Sequence, residues 1–303
     1  MSSLITEQIE ALKKRKNAVV MAHYYCDAAV QAVADHVGDS FYLAKVAKAS
    51  QADIIVLCGV SFMGESAKLL NPDKKVLMPD LGADCAMAHM VAPGKIEQMR
   101  AAYEDLAVVC YINSTAQLKS QSDVCVTSSN AVNIVKKLPN RNIFFIPDQN
   151  LGRFVAEQVP EKNILLNDGF CPIHVKITAD QIRAQKAAHP KALVLAHPEC
   201  EAETLALADH IGSTAEIISF ARESACREFI VATEQGVSFQ LMQENPDKHF
   251  FFGDPCPCCF DMKKNTVEGI LRVLEREDNA VFVDEALAAR ALLPLDRMLE
   301  LAK

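Results

Sequence analysis

Self-similarity at a fixed period constrains a fold more than any single motif, because every copy must bury its own apolar faces against its neighbours. Residues 19–26 read VVMAHYYC, and residues 193–200 read LVLAHPEC. His197 follows His23 by 174 residues, and the same offset carries ADHVG at 34–38 onto ADHIG at 208–212. A weaker copy, VVCYIN, lies between them at 108–113. Other landmarks share this period. NPDK at 71–74, VPEK at 159–162 and NPDK at 245–248 each precede a short apolar stretch, at 76–78, 164–166 and 250–252. Each stretch leads to a cysteine: Cys85, Cys171 86 residues later, and Cys259 another 88 residues on. Eleven residues past each cysteine stands Ile96, Ile182 or Ile270, in a helical pattern. Cys258 is one residue from this register and is its nearest alternative.

Within each copy, amphipathic stretches alternate with near-continuous apolar ones such as DIIVL at 53–57 and NIFFI at 142–146. Gly, Asn, Asp and Pro mark the joins. Apolar strands alternating with helices predict small parallel sheets covered on both faces. The expected fold class is therefore α/β, with three pseudo-threefold-related α/β/α domains around a central cavity. The repeats are placed at 1–91, 92–178 and 179–265. Helices in 266–303 are expected to pack back on the first repeat.

The chain has 303 residues, of which 50% are apolar, enough for a substantial core. Its 31 Lys and Arg against 39 Asp and Glu give a net charge of −8. That balance argues against binding nucleic acid or an anionic membrane. The longest apolar run, near 54–63, is too short to span a bilayer, and the first residues lack a signal core. The expectation is a cytoplasmic protein in which local devices hold any anionic ligand.

In parallel sheets, ligands bind beyond the carboxyl ends of the strands. Three such ends related by a threefold can share one cavity. The opening strand of each repeat ends in His23-x-Tyr25, Tyr111-x-Asn113 or His197-x-Glu199. Residues i and i+2 of a strand point to one face, so each repeat aims two polar groups together. A second recurring position carries small hydroxyls at an expected helix start: Gly38-Asp-Ser40, Thr127-Ser-Ser129 and Gly212-Ser-Thr214. Such residues are ordinary caps, and the same geometry also receives phosphate or carboxylate.

Eleven cysteines without an export signal indicate metal or redox chemistry rather than a disulfide framework. Cys58, Cys110 and Cys125 lie in apolar runs and read as core residues. Three thiolates, one per repeat, leave a tetrahedral zinc site incomplete but match a [4Fe–4S] cluster with one iron open to substrate. The local rival is Cys256-x-x-Cys259 with Cys258, as part of a zinc knuckle or as a redox dithiol. No second Cys-x-x-Cys completes the knuckle.

The MAHYY run at 21–25, GDS at 38–40, CYIN at 110–113, NDGFCPIH at 167–174, HPEC at 197–200 and Cys259-x-x-Met262 together resemble the quinolinate synthase family. The resemblance covers nearly the whole chain. It implies a triangular three-domain fold and a [4Fe–4S] cluster held by Cys85, Cys171 and Cys259. It also implies condensation of iminosuccinate with dihydroxyacetone phosphate to quinolinate, phosphate and water, the cluster acting as Lewis acid. An enzyme that makes iminosuccinate from aspartate is the implied functional partner. Under this resemblance Glu199 is the candidate general base, with a pKa raised beside an apolar wall. His23, His174 and His197 position substrate or move protons, and Tyr25 and Tyr111 donate to developing oxyanions. Asn113 holds a carboxylate, and Ser40, Ser128, Ser213 and Thr214 hold phosphate or carboxylate. A radical iron–sulfur enzyme of the diphthamide-synthesis type shares the one-cysteine-per-domain plan, but the His-x-Tyr and His-Pro-Glu pairs argue against it. A non-catalytic iron–sulfur sensor would not need titratable pairs at three strand ends.

Overall fold

The computed structural model describes residues 3–303. Among these residues the strands form three four-stranded parallel sheets. The first contains β1 (Ala18–His23), β2 (His36–Gly38), β3 (Ile54–Cys58) and β4 (Lys75–Leu77). The second contains β5 (Leu106–Tyr111), β6 (Val124–Val126), β7 (Asn142–Ile146) and β8 (Asn163–Leu166). The third contains β9 (Leu193–Ala196), β10 (His210–Ile211), β11 (Glu228–Ala232) and β12 (His249–Phe251). Their spatial orders are β2-β1-β3-β4, β6-β5-β7-β8 and β10-β9-β11-β12, one topology repeated three times. Every residue of β3 and β5 is buried, as strands covered by helices on both faces must be.

Two sequence devices recur because they solve the same local problem in each copy. Asp35, Asp123 and Asp209 each precede the second strand. Each carboxylate accepts an N–H of the opening strand, from Val20 at 2.8 Å, Val108 at 2.7 Å and Val194 at 2.8 Å. The same aspartates donate their own N–H to the carbonyls of those three valines. This two-way clamp fixes the pairing of first and second strands. The lysine of each xPxK motif reaches the carbonyls at the end of a preceding helix: Lys74 to Ser50, Lys162 to Leu138 and Lys248 to Ala221. A cation there satisfies orphan carbonyls and complements the helix dipole.

The hydrophobic core is not threefold. One continuous cluster joins the first two repeats and the C-terminal helices, from Ile9 to Met298. The third repeat has two smaller clusters of its own, on either side of its sheet. The helix Val267–Arg276 packs on the first repeat, against the N-terminal helix Ser3–Lys16 and β3. The last helix, Glu285–Leu301, goes further than the first repeat. It lies against Ser61–Leu70 of that repeat and against Ala116–Lys119 and β6 of the second, burying Leu295 and Met298. Among the described residues no helix is long and apolar enough to cross a membrane.

Candidate active site

The carboxyl ends of the opening strands converge on one cavity. All six strand-end residues line it: His23, Tyr25, Tyr111, Asn113, His197 and Glu199. Their aim comes from a turn more than from the strand pleat. β1 stops at His23, and β9 stops one residue before His197. The N–H of Tyr25 then folds back to His23 Nδ1 at 3.1 Å, and the N–H of Glu199 to His197 Nδ1 at 3.3 Å. An imidazole that accepts at Nδ1 carries its proton on Nε2, which puts the donor edge of both histidines outward. His197 Nε2 then donates to Ser128 Oγ at 3.2 Å. Burial lowers the pKa of each histidine to about 3, so both are neutral. The 3.8 Å approach of His197 Nδ1 to Glu199 is accordingly not an ion pair.

Glu199 behaves differently from the sequence expectation. Burial raises a carboxyl pKa, but His174 Nδ1 lies 2.7 Å from Glu199 Oε2, and the Tyr111 hydroxyl donates to Oε1 at 2.6 Å. These neighbours outweigh burial and hold the carboxyl below its ordinary range, so Glu199 is an ionised acceptor rather than a base raised by an apolar wall. The tyrosine hydroxyls shift the other way. Burial and the Glu199 charge hold Tyr25 and Tyr111 well above 10, as neutral donors.

These groups form one hydrogen-bonded chain. His174 Nε2 lies 2.9 Å from Thr233 Oγ1, which lies 2.8 Å from Tyr25 Oη, which lies 2.8 Å from Thr214 Oγ1. Because an ionised Glu199 only accepts, His174 Nδ1 carries a proton. With a singly protonated His174, the hydroxyls of Thr214, Tyr25 and Thr233 donate in sequence toward Nε2. A second proton on His174 reverses all three. The chain runs Thr214–Tyr25–Thr233–His174–Glu199–Tyr111 and draws on all three repeats.

The hydroxyl turns divide between the cavity and local duties. Ser40, Ser128 and Thr214 line the cavity. Ser213 does not. Its hydroxyl accepts the Glu216 N–H at 3.3 Å as an N-cap, and the residue faces a separate outer cavity with Lys45, Lys136 and Lys137. In the second repeat the helix begins only at Ala131, so 127–129 form the turn before it rather than its start. Asn113 Oδ1 is buried without a partner among the described residues, an acceptor at the cavity wall.

Cys85, Cys171 and Cys259 line the same cavity. Exposed Cys256 and half-buried Cys258 lie outside its wall, so the register with Cys259 is the one that reaches it. Each of the three thiols opens a short turn. Burial raises its pKa, to about 12 for Cys85, about 11 for Cys259 and well above 9 for Cys171. In each turn, the backbone amides two and three residues further on pull the other way: Met87 and Ala88, Ile173 and His174, Asp261 and Met262. Three thiols in one cavity, each facing amides that favour its anion, fit a three-thiolate iron–sulfur group, and a bound metal would supply the remaining drive to deprotonation. Cys171, His174 and Glu199 also place ligand atoms within 4.8 Å of one another. His174 already bonds through both ring nitrogens, to Glu199 and to Thr233.

Thr233, Asp148 and Glu234 do not emerge from the sequence motifs. Asp148 and Glu234 each stand two residues past the third strand of their repeat, 86 residues apart, and that offset is the signal that could have found them.

A family profile described as "NadA: Quinolinate synthetase A protein" matches residues 7–300. The chain is 49% identical over 296 residues to a quinolinate synthase of Fusobacterium nucleatum, covering 98% of this chain and 99% of that one. It is 48% identical over 298 residues to one of Caldicellulosiruptor saccharolyticus, covering 98% of each. Identity to one of Clostridioides difficile is 44% over 299 residues, covering 99% of this chain and 98% of that one.

Proposed function

The chain belongs to the quinolinate synthetase A family and is an enzyme of quinolinate synthase type, and on that premise we propose that it joins iminosuccinate to dihydroxyacetone phosphate at a [4Fe–4S] cluster held by Cys85, Cys171 and Cys259. The products are quinolinate, one phosphate and two waters. The observation that carries this reading is the meeting, in one cavity, of three thiols from three repeats with a hydrogen-bonded chain of titratable groups. A cluster with three protein thiolates has one iron free of protein ligands, and when bound it supplies Lewis acidity toward a substrate oxygen.

The protein's own groups account for the remaining demands. Both substrates are anions. Ser40, Ser128 and Thr214 offer hydroxyls, and the outward Nε2–H of His23 and His197 offers neutral donors that do not titrate near neutral pH. Asn113 adds an amide to hold a carboxylate. Ring closure with loss of two waters requires protons to leave carbon and nitrogen and to reach departing oxygens. Glu199, held ionised, accepts from His174 Nδ1 and orients its ring, as the carboxylate of a catalytic triad does. His174 is then the group that takes and returns protons, with Thr233 and Tyr25 passing them across the repeat boundary. Tyr111 donates toward the same carboxylate and limits its basicity. Iminosuccinate hydrolyses readily in water, which supports supply by an enzyme that oxidises aspartate close by.

The test is anaerobic purification, iron and sulfide counting, and turnover with freshly generated iminosuccinate and dihydroxyacetone phosphate. Four irons per chain with quinolinate and phosphate released in equal amounts is the expected result. Full turnover by metal-free protein would overturn the cluster reading.

A further inference from the structure

Two buried carboxylates lie beneath two of the three cysteine loops. Asp148 Oδ2 accepts the backbone N–H of Cys171 at 3.1 Å, while its Oδ1 accepts that of Leu151 at 2.7 Å. Glu234 Oε1 accepts the backbone N–H of Cys259 at 3.0 Å, while its Oε2 accepts that of Gly236 at 2.6 Å. Both residues are fully buried. Each acid therefore ties the turn after a third strand to the cysteine loop that follows the fourth. Lys263 lies 3.1 Å from Glu234 Oε1 and donates to the Tyr25 carbonyl at 2.6 Å, joining this bracket to the first repeat. In the first repeat Val60 holds the corresponding place, and the acid is instead the half-exposed Asp84 beside Cys85, whose carboxylate accepts from Ser61 Oγ and the Cys85 N–H while its own N–H donates to Asp261 Oδ1 at 3.3 Å.

We propose that Asp148 and Glu234 are positioning residues for the metal group. From fully buried positions they fix the backbone of Cys171 and Cys259, two of its three legs. This rests on the cluster reading above. Burying a carboxylate costs free energy unless charge-assisted hydrogen bonds satisfy it. Here the satisfying donors include the ligand cysteines' own amides, so the acid and the cysteine loop depend on each other. A neutral amide cannot substitute cleanly. Both carboxylate oxygens already face N–H groups, and the –NH₂ of Asn or Gln would oppose one of them.

The experiment compares wild type with Asp148→Asn, Glu234→Gln and, as a control, Asp123→Asn. Asp123 performs the same kind of backbone clamp on Val108 but touches no cysteine loop. All are prepared as full chains under anaerobic conditions. The readouts are iron and sulfide content, the electron paramagnetic resonance spectrum and midpoint potential of the reduced cluster, and the rate of cluster loss to a chelator. Asp148→Asn and Glu234→Gln are expected to lose the cluster on the order of tenfold faster, with an altered spectrum and a shifted potential. Asp123→Asn is expected to lower the melting temperature alone. If either amide variant fails to fold, Asp148→Glu and Glu234→Asp keep the charge, move it, and carry the same comparison. Unchanged spectra, potentials and loss rates, or changes equal to those of Asp123→Asn, would overturn the proposal. Wild-type protein without a four-iron cluster would instead bring down the reading on which it rests.

Discussion

At the scale of single residues, burial and hydrogen bonding decide protonation. Glu199→Gln removes the charge that orients His174 and offers an –NH₂ toward either Tyr111 or His174. Turnover is expected to fall about 10²–10⁴-fold, with iron content near wild type; wild-type turnover at full iron content would take Glu199 out of the mechanism. Serine at Cys85, Cys171 or Cys259 is expected to abolish the iron–sulfur absorbance, whereas serine at the fully buried Cys58 or Cys125 leaves it. His23 and His197 set a pH dependence with a definite sign. Each binds its proton near pH 3 when folded and near 6.5 when unfolded. Between those values the unfolded chain holds more protons, so stability falls as pH falls from about 6.5 toward 3, and neither histidine contributes above that window. Urea titrations of wild type and His197→Gln at pH 7 and pH 5 check this: the variant should lose less stability between the two. An equal loss would mean that His197 titrates alike in both states. The strand-end pairs were legible in the sequence because their residue types recur at one repeat position. Thr233 was not, because a threonine after an apolar strand carries no mark of what it will bond. The electrostatics of Glu199 were hidden for a similar reason, since its partner His174 comes from another repeat, 25 residues earlier.

At the scale of elements, the repeat made the three sheets readable, because each copy has to pair its own strands with the same clamps. Boundaries were less readable. The turn at 127–129 resembles the helix starts of the other repeats, yet Asn130 Oδ1 takes the Thr127 N–H at 2.7 Å and delays the helix to Ala131. The destination of the last helix was not readable either, since its apolar stripe fits any apolar groove. The structure places it across two repeats, where it joins their cores. Leu295 is fully buried at that seam. Leu295→Ala is expected to destabilise the protein by about 2–5 kcal/mol, read as a lower urea midpoint with a cooperative transition. A change under about 0.5 kcal/mol, the range of an ordinary surface substitution, would mean that the seam does not hold the first two repeats together.

At the scale of the whole molecule, the three repeats share a cavity but not a core. The first two are fused through one apolar cluster and the last helix, while most of the third's core lies in two smaller clusters, linked to the rest only through residues such as Met262 and Tyr24. Hydrogen bonds of the cavity carry much of its attachment: Tyr25 to Thr214 and Thr233, Tyr111 to Glu199, His197 to Ser128, and Gln31 Nε2 to the Gly236 carbonyl at 3.0 Å. A substrate that enters the cavity must exchange some of these bonds for its own, so binding and the fit of the third repeat are coupled. Such a boundary should open more readily than the fused pair. Hydrogen exchange tests this on the reconstituted enzyme with and without quinolinate. Amides at 197–200, 211–216 and 232–237 are expected to slow on binding more than those of β5 and β7. Thr233→Val keeps the side-chain shape and removes the hydroxyl between Tyr25 and His174. A lost hydrogen bond of about 1 kcal/mol should speed exchange in those turns roughly fivefold while leaving β5 and β7 at wild-type rates. Equal changes in all three repeats would show that the molecule opens as one body, and that the separate core of the third repeat has no dynamic consequence.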